Sequence, residues 1–395
     1  MQKSFTVAAG QLAGAVKYTA RWLVAKPVIP AHGGLLFEVD GDRLNIFGFN
    51  EDVTARATVE IDASEEPKGA FVVAGRLIDQ LVATFPDKPI TFEQVDSTIV
   101  VSAGRFRATL PTMPESDYPA LPGAAALAGH VDGSTLADAL HRVGTAASRD
   151  LTKQIEMCGI RVSFDPDPIA FSDTESGETL PAYTLTMSAT DSIRAARQTI
   201  YWEADDEGGP IGETFLALGA TLVDAAEAFA NHPQVAIGWE DGVVSLTTPT
   251  RSLVVRTLDV AKFPHLDAIF EAKTEVSARI RIKDLTMPLK RADLLKNRET
   301  NAVRLDFASD MVTIAAGLDS DTGGDEEADV EYDGPETSIW FRSDVLHSAL
   351  ASAPGEFVDL AFTSGMVVRP AVVTSPTDET WRLIMVPLRP SKPAK

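Results

Sequence analysis

The sequence predicts an α+β protein built from three similar domains in succession. Three observations carry that prediction. The chain has 395 residues, too many for one ordinary core, and about 150 residues per domain suggests two or three. One order of elements, a small-residue helix, an extended pair, a strand–helix passage and two closing strands, recurs three times. Turn signals separate strands of alternating apolar and polar residues, which points to antiparallel sheets.

Each repeat opens with a helical segment: Ala8 to Leu23, Ser134 to Ala147 and Ile282 to Leu295. Pro288 falls inside the third and is expected to kink that helix or delay its start. Extended pairs follow, Gly33 to Asn50 around the Asp40-Gly41 hairpin signal, Cys158 to Phe164 with Tyr183 to Asp191, and Ala302 to Asp319. A strand and a short helix with a Pro stop then recur at Phe71 to Pro86, Phe215 to Pro233 and Ile339 to Pro354. The first two repeats end alike, in Tyr118-Pro119-Ala120-Leu121 and Phe263-Pro264-His265-Leu266. The expected domains are therefore 1–124, 125–272 and 273–395.

Composition is that of a globular chain, 45% hydrophobic and 23% charged, but 57 acidic residues face 35 basic ones, for a net charge of −22. That excludes a protein coating nucleic acid or an anionic membrane with its whole surface, and leaves room for one basic face. Residues 1–37 hold Lys3, Lys17, Arg21 and Lys26 and no acid. Residues 279–298 hold seven basic residues against Asp284 and Asp293. Gln198 to Thr250 and Leu305 to Phe341 contain no Lys or Arg. The cations thus gather on the first helix of a repeat. Lys17 with Arg21, and Arg142 with Arg149, are spaced to share helix faces that would neutralise phosphates without reading bases.

Lys17 and Arg21 also interrupt the N-terminal apolar stretch, which reads as an amphipathic helix rather than a leader. No stretch reaches the roughly 20 apolar residues that cross a bilayer. The single cysteine, Cys158, cannot form an intrachain disulfide, so a reducing cytoplasm is the expected compartment.

Catalytic signatures are missing: there is no GxSxG, GxxxxGK[ST], HExxH or paired CxxC. Ala31-His32-Gly33-Gly34 has no nucleophile motif to serve and reads as a strand entry. Asp319 to Val330 follows a calcium loop at three positions, yet Val330 stands where a bidentate Glu is required. No enzyme activity, cofactor or metal site is expected. The competing class, a monomeric hydrolytic or ligand-binding α+β protein with only an architectural repeat, would need converging polar groups, and the sequence offers no such constellation.

With these features in place, the sequence resembles the bacterial DNA polymerase III beta subunit, the replicative sliding clamp, over essentially its whole length. The most specific stretches are Ser188 to Arg197 (SATDSIRAAR), Ala261 to Leu266 (AKFPHL), Asn301 to Phe307 (NAVRLDF), Leu110 to Pro122 (LPTMPESDYPALP) and Ile384 to Pro390 (IMVPLRP). The resemblance implies a DNA-clamp fold, with helices lining a central hole, antiparallel sheets outside, and a head-to-tail ring dimer. It implies double-stranded DNA, bound without sequence preference, as the enclosed partner. A replicative DNA polymerase, a clamp loader and other proteins with clamp-binding peptides are the implied protein partners. By this resemblance Lys17, Arg21, Lys26, Arg76, Arg142, Arg149, Lys153, Lys296 and Arg298 are expected at or near the hole.

The implied ring joint brings Arg105, Arg107 and Leu110 against Leu294, Leu295, Glu326 and Glu327 of a second copy. The implied peptide groove comprises Met157, Thr190, Ile193, Arg194, Ala195, Pro264, Ile269, Met366, Val368, Met385, Val386, Pro387, Leu388 and Arg389. Three positions depart from the family pattern there: Ala195 where leucine is usual, Val345 where tyrosine is usual and Arg342 where asparagine is usual. A wider or differently charged pocket is the expectation.

Overall fold

The computed structural model describes residues 4–63, 68–152, 154–166, 171–172, 179–180, 183–205, 209–240, 242–296, 301–317, 323–363 and 369–389. These hold seven α-helices: α1 (Ala9–Ala20), α2 (Gly75–Val82), α3 (Gly133–Gly144), α4 (Gly219–Phe229), α5 (Asp267–Phe270), α6 (Ile282–Leu295) and α7 (Ser343–Ser352). Six of them answer to the six expected helices; α5 is an addition. Pro288 is buried within α6, which nevertheless begins at Ile282, so the expected late start does not occur. Its ring packs in the apolar stripe with Leu285 and Leu289, where the lost amide is compensated by burial. α3 stops at Gly144, earlier than expected, and Arg149 lies in the segment beyond it. Arg142 and Arg149 therefore do not share a helix face.

The chain forms two compact units, residues 1–133, 204–210 and 228–257, and residues 134–203, 211–227 and 258–395. In the first, an eight-stranded antiparallel sheet runs in the order Lys68–Ala74, Gly34–Asp40, Arg43–Phe49, Val53–Glu60, Arg251–Arg256, Val243–Thr247, Val235–Glu240, Leu127–Val131. The middle joint pairs Val53 with Val255 and Ala57 with Arg251. A four-stranded sheet, Ser4–Val7, Ile90–Val95, Thr98–Ala103 and Phe106–Pro111, belongs to the same unit. α1 buries Leu12, Ala15, Val16 and Thr19. It approaches strand Arg43–Phe49 so closely that a Cβ at Gly48 would lie 2.2 Å from the Thr19 carbonyl oxygen, which excludes any larger residue there.

The second unit repeats the plan. Its eight strands run Thr214–Leu218, Gly159–Pro166, Tyr183–Thr190, Arg194–Ala204, Asp378–Met385, Ala371–Ser375, Phe357–Phe362, Val276–Arg281. The middle joint pairs Arg194 with Met385 and Arg197 with Arg382. A further four-strand series runs Thr337–Arg342, Ala302–Ala308, Met311–Ala316, Gly324–Tyr332. Each repeat has its aromatic core: Phe37, Phe71 and Phe92, then Phe164, Trp202 and Phe215, then Phe307, Tyr332 and Phe362. Such rings each contribute about 2–3 kcal/mol when fully buried.

Candidate functional site

In the second unit several of the residues expected to receive a peptide gather around a tight turn. Between strands Tyr183–Thr190 and Arg194–Ala204, the Asp191 carboxylate accepts from the amides of Ile193 and Arg194, both at 3.0 Å, and from Arg194 Nε at 3.1 Å. Ser192 takes φ 75°, and the Thr190 hydroxyl donates to the Arg194 carbonyl at 2.7 Å. The Val386 amide then donates to the Ile193 carbonyl at 2.9 Å, bringing the C-terminal strand's exit beside the turn. Ile269 on α5 and Val386 present the most open apolar surface, 37% and 40% exposed. Met157, Ile193, Pro264 and Leu388 are half-buried around them, and Arg389 is exposed.

Thr190, Ala195, Met385 and Pro387 are buried. Ala195 packs with Phe263, Leu266, Phe270 and Ile384, so its small size is absorbed by neighbouring rings in the core. Met366 and Val368 lie outside the described residues. Of the two other departures, Val345 is internal and Arg342 half-buried. Val345 is 3% exposed, and Arg342 spends its charge on Asp344 through bonds of 3.1 and 2.9 Å. Burial pushes the Asp344 carboxyl up, but Arg342 and the nearby Arg194 outweigh this and hold it below the usual range. Arg342 therefore adds no net charge to the groove.

The cations expected on one face fall into two groups. In the first unit, Lys17, Arg21 and Lys26 are exposed at and beyond the C-terminal end of α1, where the helix dipole favours positive charge. Exposed Arg76 of the neighbouring α2 reaches the Ala25 carbonyl at 3.5 Å and joins them. In the second unit two of the expected cations are paired. Arg142 meets Asp138 at 3.6 Å and Asp378 at 3.5 Å, and Lys296 donates to Asp293 at 2.8 Å. Arg149 is exposed. Lys153 and Arg298 lie outside the described residues. Lys283 and Lys290, from the basic run of residues 279–298, are exposed two turns apart on α6.

Two strand edges complete the picture. Phe106–Pro111 pairs only with Thr98–Ala103 among the described residues, and residues 324–329 pair only with Met311–Ala316. Arg105 and Arg107 are exposed on the first, whereas Leu110 turns into its own sheet, 7% exposed. Phe106, 42% exposed and 5.4 Å from the Phe85 ring, is the apolar group the sequence reading missed. Leu294 is 85% exposed and Leu295 36%. Glu327 is exposed, while Glu326 accepts two bonds from Arg291, which hold its carboxyl below the usual range.

A cleft of about 570 Å³ opens at the start of α6, lined by Arg281, Lys283, Thr286, Met287 and Glu356 among others. Arg281 is committed to Glu356 at 3.1 Å and the Thr286 hydroxyl to the Ile282 carbonyl at 2.6 Å, so no nucleophile and base converge there.

Two family models match the chain: the DNA polymerase III beta subunit N-terminal domain over residues 3–122, and the C-terminal domain of the same subunit over residues 268–389. The beta sliding clamp of Micrococcus luteus is 30% identical over 324 residues, covering 82% of this chain and 97% of that protein. That of Streptomyces coelicolor is 29% identical over 390 residues, covering 96% and 97%. Among solved structures, the Pseudomonas aeruginosa sliding clamp bound to griselimycin superposes with a TM-score of 0.86 at 19% identity, covering 99% of this chain and 100% of that one.

Proposed function

The chain belongs to the bacterial DNA polymerase III beta subunit family, and from that premise we propose that it works as a homodimeric ring that slides on duplex DNA. Its function is that of a DNA sliding clamp, which tethers a polymerase to the template and confers processivity. The observation that carries the ring is the repeated joint. Strand Val53–Glu60 meets Arg251–Arg256, and Arg194–Ala204 meets Asp378–Met385. The corresponding third pair of edges, residues 324–329 and Phe106–Pro111, has no such joint among the described residues. Two copies arranged head to tail would supply it twice. Acidic residues on the first edge and Arg105 and Arg107 on the second favour that pairing over edge-to-edge contact of like strands.

The division into domains 1–124, 125–272 and 273–395 follows the same logic, since each would contribute one strand to each of two joints. Enclosure makes the contact with DNA topological, so a few cations at α1 and α2 suffice and an acidic exterior discourages binding from outside. The groove would receive short peptides of the replicative polymerase, the clamp loader and other partners, by apolar anchoring. A non-catalytic role in the cytoplasm completes the reading. No helix among the described residues is long and apolar enough to cross a membrane.

The test is retention on circular DNA. Loaded onto a nicked circle by a clamp loader, the protein should co-elute with DNA through high-salt gel filtration and be released when the circle is cut once. Retention on the linear product would sink the enclosure reading.

A further inference from the structure

Of all the groove's elements, α5 is the least able to hold itself. It is one turn long, Leu266 at its N-cap provides no side-chain acceptor, and an isolated turn has no stability of its own. Yet it carries Ile269, the wall's open apolar group. Leu266 and Phe270 anchor it in the core beside Ala195 and Ile384. The remaining restraint comes from two arginines. Arg197 on strand Arg194–Ala204 donates from Nη2 to the Asp267 carboxylate, at the first residue of α5. The same guanidinium lies 4.3 Å from the centroid of the Phe270 ring, a cation–π contact. Directly opposite Arg197 in the ladder stands Arg382, which donates to the Phe270 carbonyl at 3.4 Å. Like charges facing each other across a ladder repel. Here both heads are drawn onto the same turn, one to each end.

We infer that Arg197, backed by Arg382, is a positioning residue for peptide capture. It fixes α5 so that Ile269 faces the groove, and thereby couples the joint between strands Arg194–Ala204 and Asp378–Met385 to the groove's affinity. Arg197 Nε is buried without a hydrogen-bond partner, a desolvation cost that a merely solvating side chain would not carry. The inference rests on the groove reading above, and its test separates the two.

Full-length protein is titrated with a fluorescein-labelled hexapeptide ending in two large apolar residues, and amide exchange is followed over residues 266–271. Arg197→Ala is expected to raise the peptide Kd about tenfold and to speed exchange in that segment alone, with the unfolding midpoint and solution mass unchanged. Arg197→Lys, which keeps a charge for Asp267 but loses the planar stack, should recover part of the loss. In an Ile269→Ala background, Arg197→Ala should cost about twofold or less, because the effect travels through Ile269. Equal costs in both backgrounds, or unaltered exchange and Kd, would overturn the inference. Failure of the wild type to bind the peptide, with exchange still accelerated by Arg197→Ala, would remove the groove reading while leaving the hold on α5 in place. Should Arg197→Ala fail to fold, Asp267→Asn addresses the same contact from the other side, with the same expected rise in Kd and in local exchange.

Discussion

A charged side chain's meaning depends on what it meets. Arg21 and Lys17 stand exposed at the end of α1, whereas Arg142 is shared between Asp138 and Asp378. Substituting Lys17→Glu and Arg21→Glu together should flatten the salt dependence of DNA binding, the logarithmic slope falling by about one for each phosphate no longer neutralised. Arg142→Ala should leave that slope within error and instead cost about 1–2 kcal/mol of stability, because Asp378 is deprived of a cation while remaining partly buried. Binding measured at four salt concentrations, beside denaturant unfolding, separates the two roles. Asp378 also gives the protein an acid limb. Burial raises its carboxyl, but the bonds from Thr380 and Gln198 and the charge of Arg142 hold it below the usual range. Since the folded value lies below the unfolded one, this stabilisation is complete above about pH 4 and lost as pH falls through the folded value. Asp378→Asn should therefore lower stability at pH 7 and flatten its decline between about pH 5 and pH 2. An unaltered acid slope in the variant would show that other carboxylates dominate.

At the scale of elements, the two strand edges left unjoined among the described residues differ in charge. Asp325, Glu327 and Asp329 project from one, and Arg105 and Arg107 flank or occupy the other. Arg105→Glu alone, or Glu327→Arg alone, should weaken self-association about tenfold or more, and mixing the two variants should restore it, one joint carrying the swapped pair and the other the native pair. Light scattering over a dilution series reads this directly. A mass that ignores both reversals would remove these edges as the joint. Helix ends follow packing as much as local sequence. α3 ends at Gly144, where a Cβ would meet Val223 at 2.6 Å, so close packing as well as a poor helix former stops it.

For the molecule as a whole, one plan of half-sheets recurs with its junction strands in the same order in both units. Two joints are filled, and among the described residues the edges Phe106–Pro111 and 324–329 have no second strand. Solution mass should accordingly be near twice 42.3 kDa at micromolar concentration. A monomer at every dilution would leave the family fold intact and count against an autonomous ring.

Most of this architecture was legible in the amino-acid order. Alternation, turn residues and Pro stops recur along the chain, and they announce three repeats because strands and helices impose periods of 2 and 3.6 on local sequence. The turn after Ser188 to Thr190 was legible too, through the stretch Ser188 to Arg197. What periodicity could not reveal is which residues meet across long separations. α5 is too short to show a helical period, and Arg197 finds it only because the chain returns through Phe263 to Phe270. Arg142 looks like a free cation until Asp378 folds against it, and Ala195 like a hole until Phe263 and Phe270 fill it. Local order determined the elements and their repetition; only tertiary packing decided which charges stay free and which apolar groups stay open, because neutralisation and burial depend on groups that meet in space rather than along the chain.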